Sequence, residues 1–171
     1  MANTQKSVGS SATPRRSHAQ TSEQAAAVFV VVFAAAQLVR PDRANPPTDV
    51  NRTIQAHGAT SGLAAVLDRS CRDCHSNATV WPRYTQVAPV SWLMAYAVTK
   101  GRTAVNFSEW AGYSPEQQRV LLSVSCDDAT SGKMPGAYTF FRPETRLSAQ
   151  DIQTICEAAR EVNTHATRAS K

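Results

Sequence analysis

One pentapeptide constrains this chain more than any other feature in it: Cys71-Arg72-Asp73-Cys74-His75. Two thiols three residues apart lie within about one helical turn. Both can therefore bond to one rigid partner, and the imidazole that follows is delivered to the same place. This is the spacing of c-type haem attachment. Each thiol adds to one haem vinyl group, and His75 is held under the iron as proximal ligand. Two other chemistries use C-x-x-C. Thiol–disulfide exchange goes with a β-α-β pattern, and no alternating strand pattern occurs here. A structural zinc site needs four ligands. Cys126 and Cys156 complete one only on paper, because they lack paired spacing.

A sixth iron ligand needs a soft or imidazole donor further along the chain. The chain has three methionines. Met1 is the initiator, and Met94 sits in Trp92-Leu93-Met94-Ala95, where methionine is more often core filler. Met134 lies in Ser131-Gly132-Lys133-Met134-Pro135, a loop 59 residues after His75. A residue before proline is held extended, which suits a thioether aimed at a metal, so Met134 is the favoured ligand. His57 and His165 are the rivals, one beside Gly58 and one near the C-terminus. His/Met ligation raises the reduction potential and closes the iron to other ligands.

The chain has an unusual beginning. Residues 1–24 are rich in Ser, Thr, Gln and Ala and read as a disordered tail. Residues 25–39 carry no charge and 14 apolar residues in 15. A membrane span needs about 20 residues. This run therefore suits a signal segment, with Ala34-Ala35-Ala36 as cleavage site, or an uncleaved anchor in the inner membrane. A buried core helix is the alternative. The pair Arg15-Arg16 ahead of the run places the N-terminus in the cytoplasm. The expectation is an exported, periplasmic protein. The formal charge is +5, of which +3 belongs to residues 1–40, leaving 14 basic against 12 acidic residues from Pro41 onward. A nucleic-acid partner would call for a basic stripe interleaved with aromatics, and none is visible.

Residues 40–51 are polar and proline-rich and read as a linker. The haem-bearing domain is expected over 52–165, with 166–171 as a tail. Periodicity predicts an all-α domain. Helices are expected at Ile54–Leu67, at Val90–Lys100 with Gly101 as its stop, from a Ser114-Pro115-Glu116-Gln117 capping box to about Ser125, and from Ser148 through Val162. Between them lie long loops at 76–89, 102–113 and 127–147. A small helical domain has such loops for a reason, and wrapping a haem is one.

Several ordered segments make the chain resemble the bacterial haem-binding domain family, small mono-haem periplasmic proteins similar to cytochrome c. They are C-R-D-C-H-S-N-A-T-V-W-P-R-Y (71–84), A-P-V-S-W-L (88–93), G-R-T-A-V-N-F-S-E-W (101–110), K-M-P-G-A-Y (133–138) and R-P-E-T-R-L-S (142–148). The resemblance implies Cys71 and Cys74 as attachment points, His75 as proximal ligand, Met134 as distal ligand and a helical cytochrome c-like fold. Arg83 stands where an aromatic is expected and Arg142 where a His is expected. Either arginine would face a haem propionate or, as the plainer reading, solvent. Cys126 and Cys156 fall outside the family pattern.

Other residues carry weaker expectations. Trp81 N–H or Tyr84 O–H would hydrogen-bond a propionate or simply pack in the core. Trp92, Phe107 and Trp110 would wall the haem or the core, and Asn106 would cap or brace a loop. Cys126 and Cys156 would form a disulfide in an oxidising compartment or remain two small buried hydrophobes. The function expected is single-electron transfer by one covalent haem c, docking with a redox partner protein. The alternatives are a peroxidase-like enzyme or its accessory subunit, and a redox or gas sensor.

Overall fold

The structure is a computed structural model and describes residues 18–169. The chain divides into two compact units, one ending at Val39 and one beginning at Arg40.

The described part of the first unit is helix α1, His18–Ala36. It carries the apolar run, but its first turns, through Gln24, are polar. Val28, Phe29, Val30, Val31 and Val32 are all more than 60% exposed. Among the described residues, no helix is long and apolar enough to cross a membrane. The expected anchor therefore finds no spanning helix, for the reason visible in the sequence: the charge-free stretch is shorter than a bilayer is thick. Residues 1–17, most of the expected tail, lie outside the described residues.

The second unit is helical, with no strand among the described residues. Helix α2 spans Ser61–Ser70. It begins later than the expected Ile54, because the Thr60 side chain caps it by accepting from the Leu63 amide at 3.2 Å. A one-turn helix α3, Arg72–His75, follows at once. Helix α4 runs Val90–Ala104 and buries Ser91, Met94, Ala95, Val98 and Gly101 along one face. That register turns Trp92 outward, 38% exposed, so Trp92 walls neither cleft nor core. Gly101 does not stop α4 either. It lies inside the helix because its bare α-carbon faces Cys74: a β-carbon there would sit 2.3 Å from the Cys74 carbonyl oxygen.

A 3₁₀ segment, Phe107–Gly112, is capped by Asn106, which accepts from the Ser108 amide at 3.0 Å. Helix α5, Pro115–Thr130, starts with the expected capping box, Ser114 and Gln117 each holding the other's amide. It continues past the expected end at Ser125. Leu122, Cys126 and Ala129, spaced as one helix face, pack against the last helix, and that contact holds the final turn in place. Short helix α6, Tyr138–Phe141, and a 3₁₀ turn, Pro143–Thr145, interrupt what the sequence presents as one loop. Helix α7, Ala149–Ala169, is amphipathic as expected. It is opened by Ser148 and Asp151, which exchange hydrogen bonds of 2.7 and 3.2 Å.

The core joins α2, the 3₁₀ segment, α5 and α7 through Leu63, Leu67, Phe107, Trp110, Leu122 and Ile155. Cys126 and Cys156 are joined by a disulfide that ties α5 to α7. Residues 40–49 have no regular structure, yet the domain uses them. Arg43 donates to the Thr85 carbonyl at 3.0 Å, and Pro47 accepts from Asn77 at 3.1 Å.

Candidate functional site

Cys71 closes α2, its amide donating to the Leu67 carbonyl at 2.9 Å. Its own carbonyl then accepts from the amides of Cys74 and His75 at 3.2 and 3.0 Å. The chain thus turns tightly enough to bring both thiols and the imidazole to one side. Helix α3 packs on α4 through the Gly101 contact. The carbonyl of Val105, just beyond α4, lies 3.2 Å from His75 Nδ1. A carbonyl only accepts, so Nδ1 carries the proton and Nε2 the lone pair. Burial pushes the His75 imidazole below its ordinary pKa, against the opposing pull of its backbone hydrogen bonds, so it stays neutral. A neutral imidazole with one nitrogen held by a carbonyl is the form that ligates a metal.

Cys71, Cys74 and His75 line a cleft that also receives Met134. The cleft encloses about 960 Å³ of atom-free space, part of it open to solvent. Its walls are largely apolar: Leu67, Val105, Phe107, Leu121, Val124 and Ile155 all contribute. Met134 is 44% exposed and is tethered through its amide to the Asp128 carbonyl at 3.1 Å. Met94 is buried in the face of α4 and is no part of the cleft. His57 lies in a different hollow, with Nε2 3.0 Å from the Asn51 carbonyl. Met1 and the side chain of His165 lie outside the described residues.

These residues fit a haem. Two thiols, a neutral imidazole and a thioether share one apolar cleft, and the Ser70 hydroxyl on its wall is buried without a protein partner. The competing chemistries fit less well. Burial pushes the Cys71 thiol up to about 12 and the Cys74 thiol up to about 11, helped by the thiol and carboxyl beside them. Exchange catalysis needs a lowered thiol pKa. Cys126 and Cys156 are consumed by their disulfide, and no group of three or more His, Cys, Asp or Glu residues suited to a metal exists among the described residues.

The supporting aromatics divide. Phe107 lines the cleft, while Trp110 is core. Trp81 lies outside the cleft and donates its indole N–H to Asn45 at 3.3 Å. Tyr84 stacks on Phe141 with ring centroids 5.7 Å apart, and its hydroxyl is buried without a partner. Asn106 also braces a loop, donating to Asn77 Oδ1 at 2.8 Å.

Sequence reasoning passed over the second variable residue of the motif. Asp73 is 8% exposed. Its Oδ1 accepts from the Val80 amide at 3.0 Å and its Oδ2 from the Tyr138 hydroxyl at 2.8 Å, with the Arg142 guanidinium 3.5 Å away. The plainer reading of Arg142, a solvated side chain, is therefore replaced by a half-buried one paired with Asp73 and Glu144. One signal was available: a carboxyl inside a half-buried turn must find partners. Arg102 was missed as well. It donates at 2.8 Å to the Ser76 carbonyl, to Thr79 Oγ1 and to Asn45 Oδ1, fastening the segment after the motif to residues 44–45.

A family model described as a haem-binding domain matches residues 31–161 of the chain. No curated protein and no solved structure matches it.

Proposed function

The chain belongs to the haem-binding domain family, and on that premise we propose that it is a mono-haem c-type protein that carries single electrons outside the cytoplasm. The observation that carries this reading is the sharing of one apolar cleft by Cys71, Cys74, His75 and Met134. Cys71 and Cys74 would hold the haem by thioether bonds, His75 by Nε2 and Met134 by its sulfur. When bound, haem supplies a one-electron iron couple. The chain's own part is to orient and to exclude water. Val105 fixes the imidazole ring, and the apolar walls keep the local dielectric low. A thioether from Met134 would leave the iron no free ligand site, which favours a carrier over a peroxidase-like enzyme, its accessory subunit or a gas sensor. The Ser70 hydroxyl, buried on the cleft wall without a protein partner, is placed to meet a polar group of the haem, whereas Tyr84, the expected propionate partner, does not line the cleft.

Export is supported by the charge-free run at 25–39 and by the Cys126–Cys156 disulfide, which belongs to an oxidising compartment. Cleavage after Ala36 would release the domain; without cleavage the segment would tether it to the inner membrane. The nearly balanced charge from Pro41 onward suits docking with a redox partner protein rather than nucleic acid.

The test is to co-express the chain with a cytochrome c maturation system. A denaturing haem stain reports covalent attachment, and the oxidised spectrum reports the sulfur-to-iron charge-transfer band of Met ligation. A stained band with that feature supports the carrier. Covalent haem with a high-spin spectrum and fast carbon monoxide binding turns the reading to enzyme or sensor. Absence of covalent haem overturns it.

A further inference from the structure

We propose that the hydrogen bond from the Tyr138 hydroxyl to Asp73 is a clasp that holds the Met134 segment over the attachment motif, making Asp73 and Tyr138 positioning residues for the distal iron ligand. The inference rests on the haem reading above.

Met134 sits among turns and bends, residues 131–137, that no helix stiffens. Upstream, its amide is fixed to the last turns of α5 at Asp128. Just downstream the chain reverses at Gly136, where φ is +54° and a β-carbon would lie 2.7 Å from the Lys133 carbonyl oxygen. The next downstream fixture that reaches across the fold is Tyr138, four residues after the methionine. It bonds at 2.8 Å to a residue 65 positions earlier. That residue lies between the two attachment cysteines.

Asp73 is built to receive this bond. It is buried, and the Val80 amide on Oδ1 orients the carboxylate so that Oδ2 faces α6. The Thr79 hydroxyl donates to the Asp73 carbonyl at 2.7 Å and locks the backbone behind it. Arg142, at 3.5 Å, adds charge from the same side as Tyr138. A hydrogen bond to a charged acceptor away from water is among the stronger ones. One short chain of contacts thus links the residues that hold the proximal side to the segment that carries the distal ligand. If haem sits in this cleft, the clasp sets how firmly the Met134 sulfur is presented to it. A purely structural Asp73–Tyr138 bond would change stability and leave ligation alone.

The test uses full-length haem-loaded protein with Tyr138→Phe, which removes only the hydroxyl and keeps the ring. Covalent haem should persist on the denaturing stain, while the Met charge-transfer band of the oxidised protein weakens. Carbon monoxide binding to the reduced protein should quicken about 10-fold, the scale of one lost hydrogen bond to a charged group. Amides of residues 131–141 should exchange hydrogen faster. Asp73→Asn keeps an amide that can still pair with Tyr138, and should fall between wild type and Tyr138→Phe in all three readouts. Unchanged amide exchange in Tyr138→Phe overturns the clasp whatever ligates the iron. A lower melting temperature with an unchanged band and unchanged carbon monoxide rate overturns the positioning role. A wild-type spectrum without the Met band, or one that Met134→Ala leaves intact, overturns the His/Met reading and the positioning role with it.

Discussion

Gly101 and Cys74 meet so closely that a β-carbon on the glycine would lie 2.3 Å from the Cys74 carbonyl oxygen and 3.0 Å from the Cys74 β-carbon. The obstacle is backbone, which has little room to yield. Gly101→Ala should therefore push α3 off α4. Alanine would gain about 1 kcal/mol in helix propensity, but overpacking a tight contact costs about 1–3 kcal/mol. We expect a net loss of stability in thermal unfolding and a weaker haem stain per mole of protein. An undisturbed stain and melting temperature would show that α3 does not need this seat.

Met134→Ala should abolish the charge-transfer band and let carbon monoxide bind the reduced protein rapidly. Met94→Leu should leave the spectrum as it is, since Met94 is buried on α4 away from the cleft. It should cost less than about 1.5 kcal/mol, as volume-conserving core exchanges do. A reversed pattern would exchange the roles of the two methionines.

The disulfide closes a loop across a sequence separation of 30 and contains the Met134 segment within it. Replacing both cysteines by alanine should remove about 3–4 kcal/mol by the chain-entropy account, a fall of roughly 10 °C in melting temperature for a domain of this size. Differential scanning calorimetry of the double variant measures it, and a shift of only a degree or two would show that α5 and α7 hold together by packing alone.

Arg102 donates three hydrogen bonds of 2.8 Å, to the Ser76 carbonyl, Thr79 Oγ1 and Asn45 Oδ1, and a fourth of 3.2 Å to the Ala44 carbonyl. Arg102→Ala should cost about 2–3 kcal/mol through the acceptors left without a donor. Limited proteolysis should then cut within residues 40–49 faster in the variant than in the wild type. Protection equal to wild type would show that the segment is held by other contacts.

Burial by itself would raise the Asp151 carboxyl, but the Ser148 hydroxyl and amide and the Arg69 guanidinium together hold it below the usual carboxylate value. Its folded pKa is thus lower than its unfolded one, so the unfolded chain takes up the proton first as pH falls. The stabilisation is present at neutral pH and is lost as pH falls below about 4, through the depressed folded value. Asp151→Asn should cost about 1 kcal/mol at pH 7, a typical capping value. In urea melts the gap to wild type should narrow below pH 4. A gap that stays constant with pH would mean the carboxylate charge plays no part.

The clustering of the C-x-x-C-H residues and both capping boxes were legible because they act within five residues of chain. Cys71, Cys74 and His75 fall together by spacing, and Ser114 with Gln117, or Ser148 with Asp151, satisfies amides three residues away. The all-helical class was legible for the same reason, from apolar periodicity along single helices. Helix limits that depend on a neighbour were not. Gly101 has the residue type of a helix stop, and only the approach of Cys74 explains why α4 runs through it. The last turn of α5 depends on α7, which follows only after the α6 region.

What the sequence by itself determined is therefore local: a C-x-x-C-H pentapeptide, helical segments, their caps and a charge-free N-terminal run. Tertiary structure decided which distant side chains meet. It brought Met134 and not Met94 to the cleft of His75, joined Cys126 to Cys156, and carried Tyr138 across 65 residues to Asp73. The physical reason is range. Capping and periodicity are settled by groups one helical turn apart, whereas a buried carboxylate such as Asp73 takes its partners from whatever the packing of α3, α4 and α6 brings within hydrogen-bond reach.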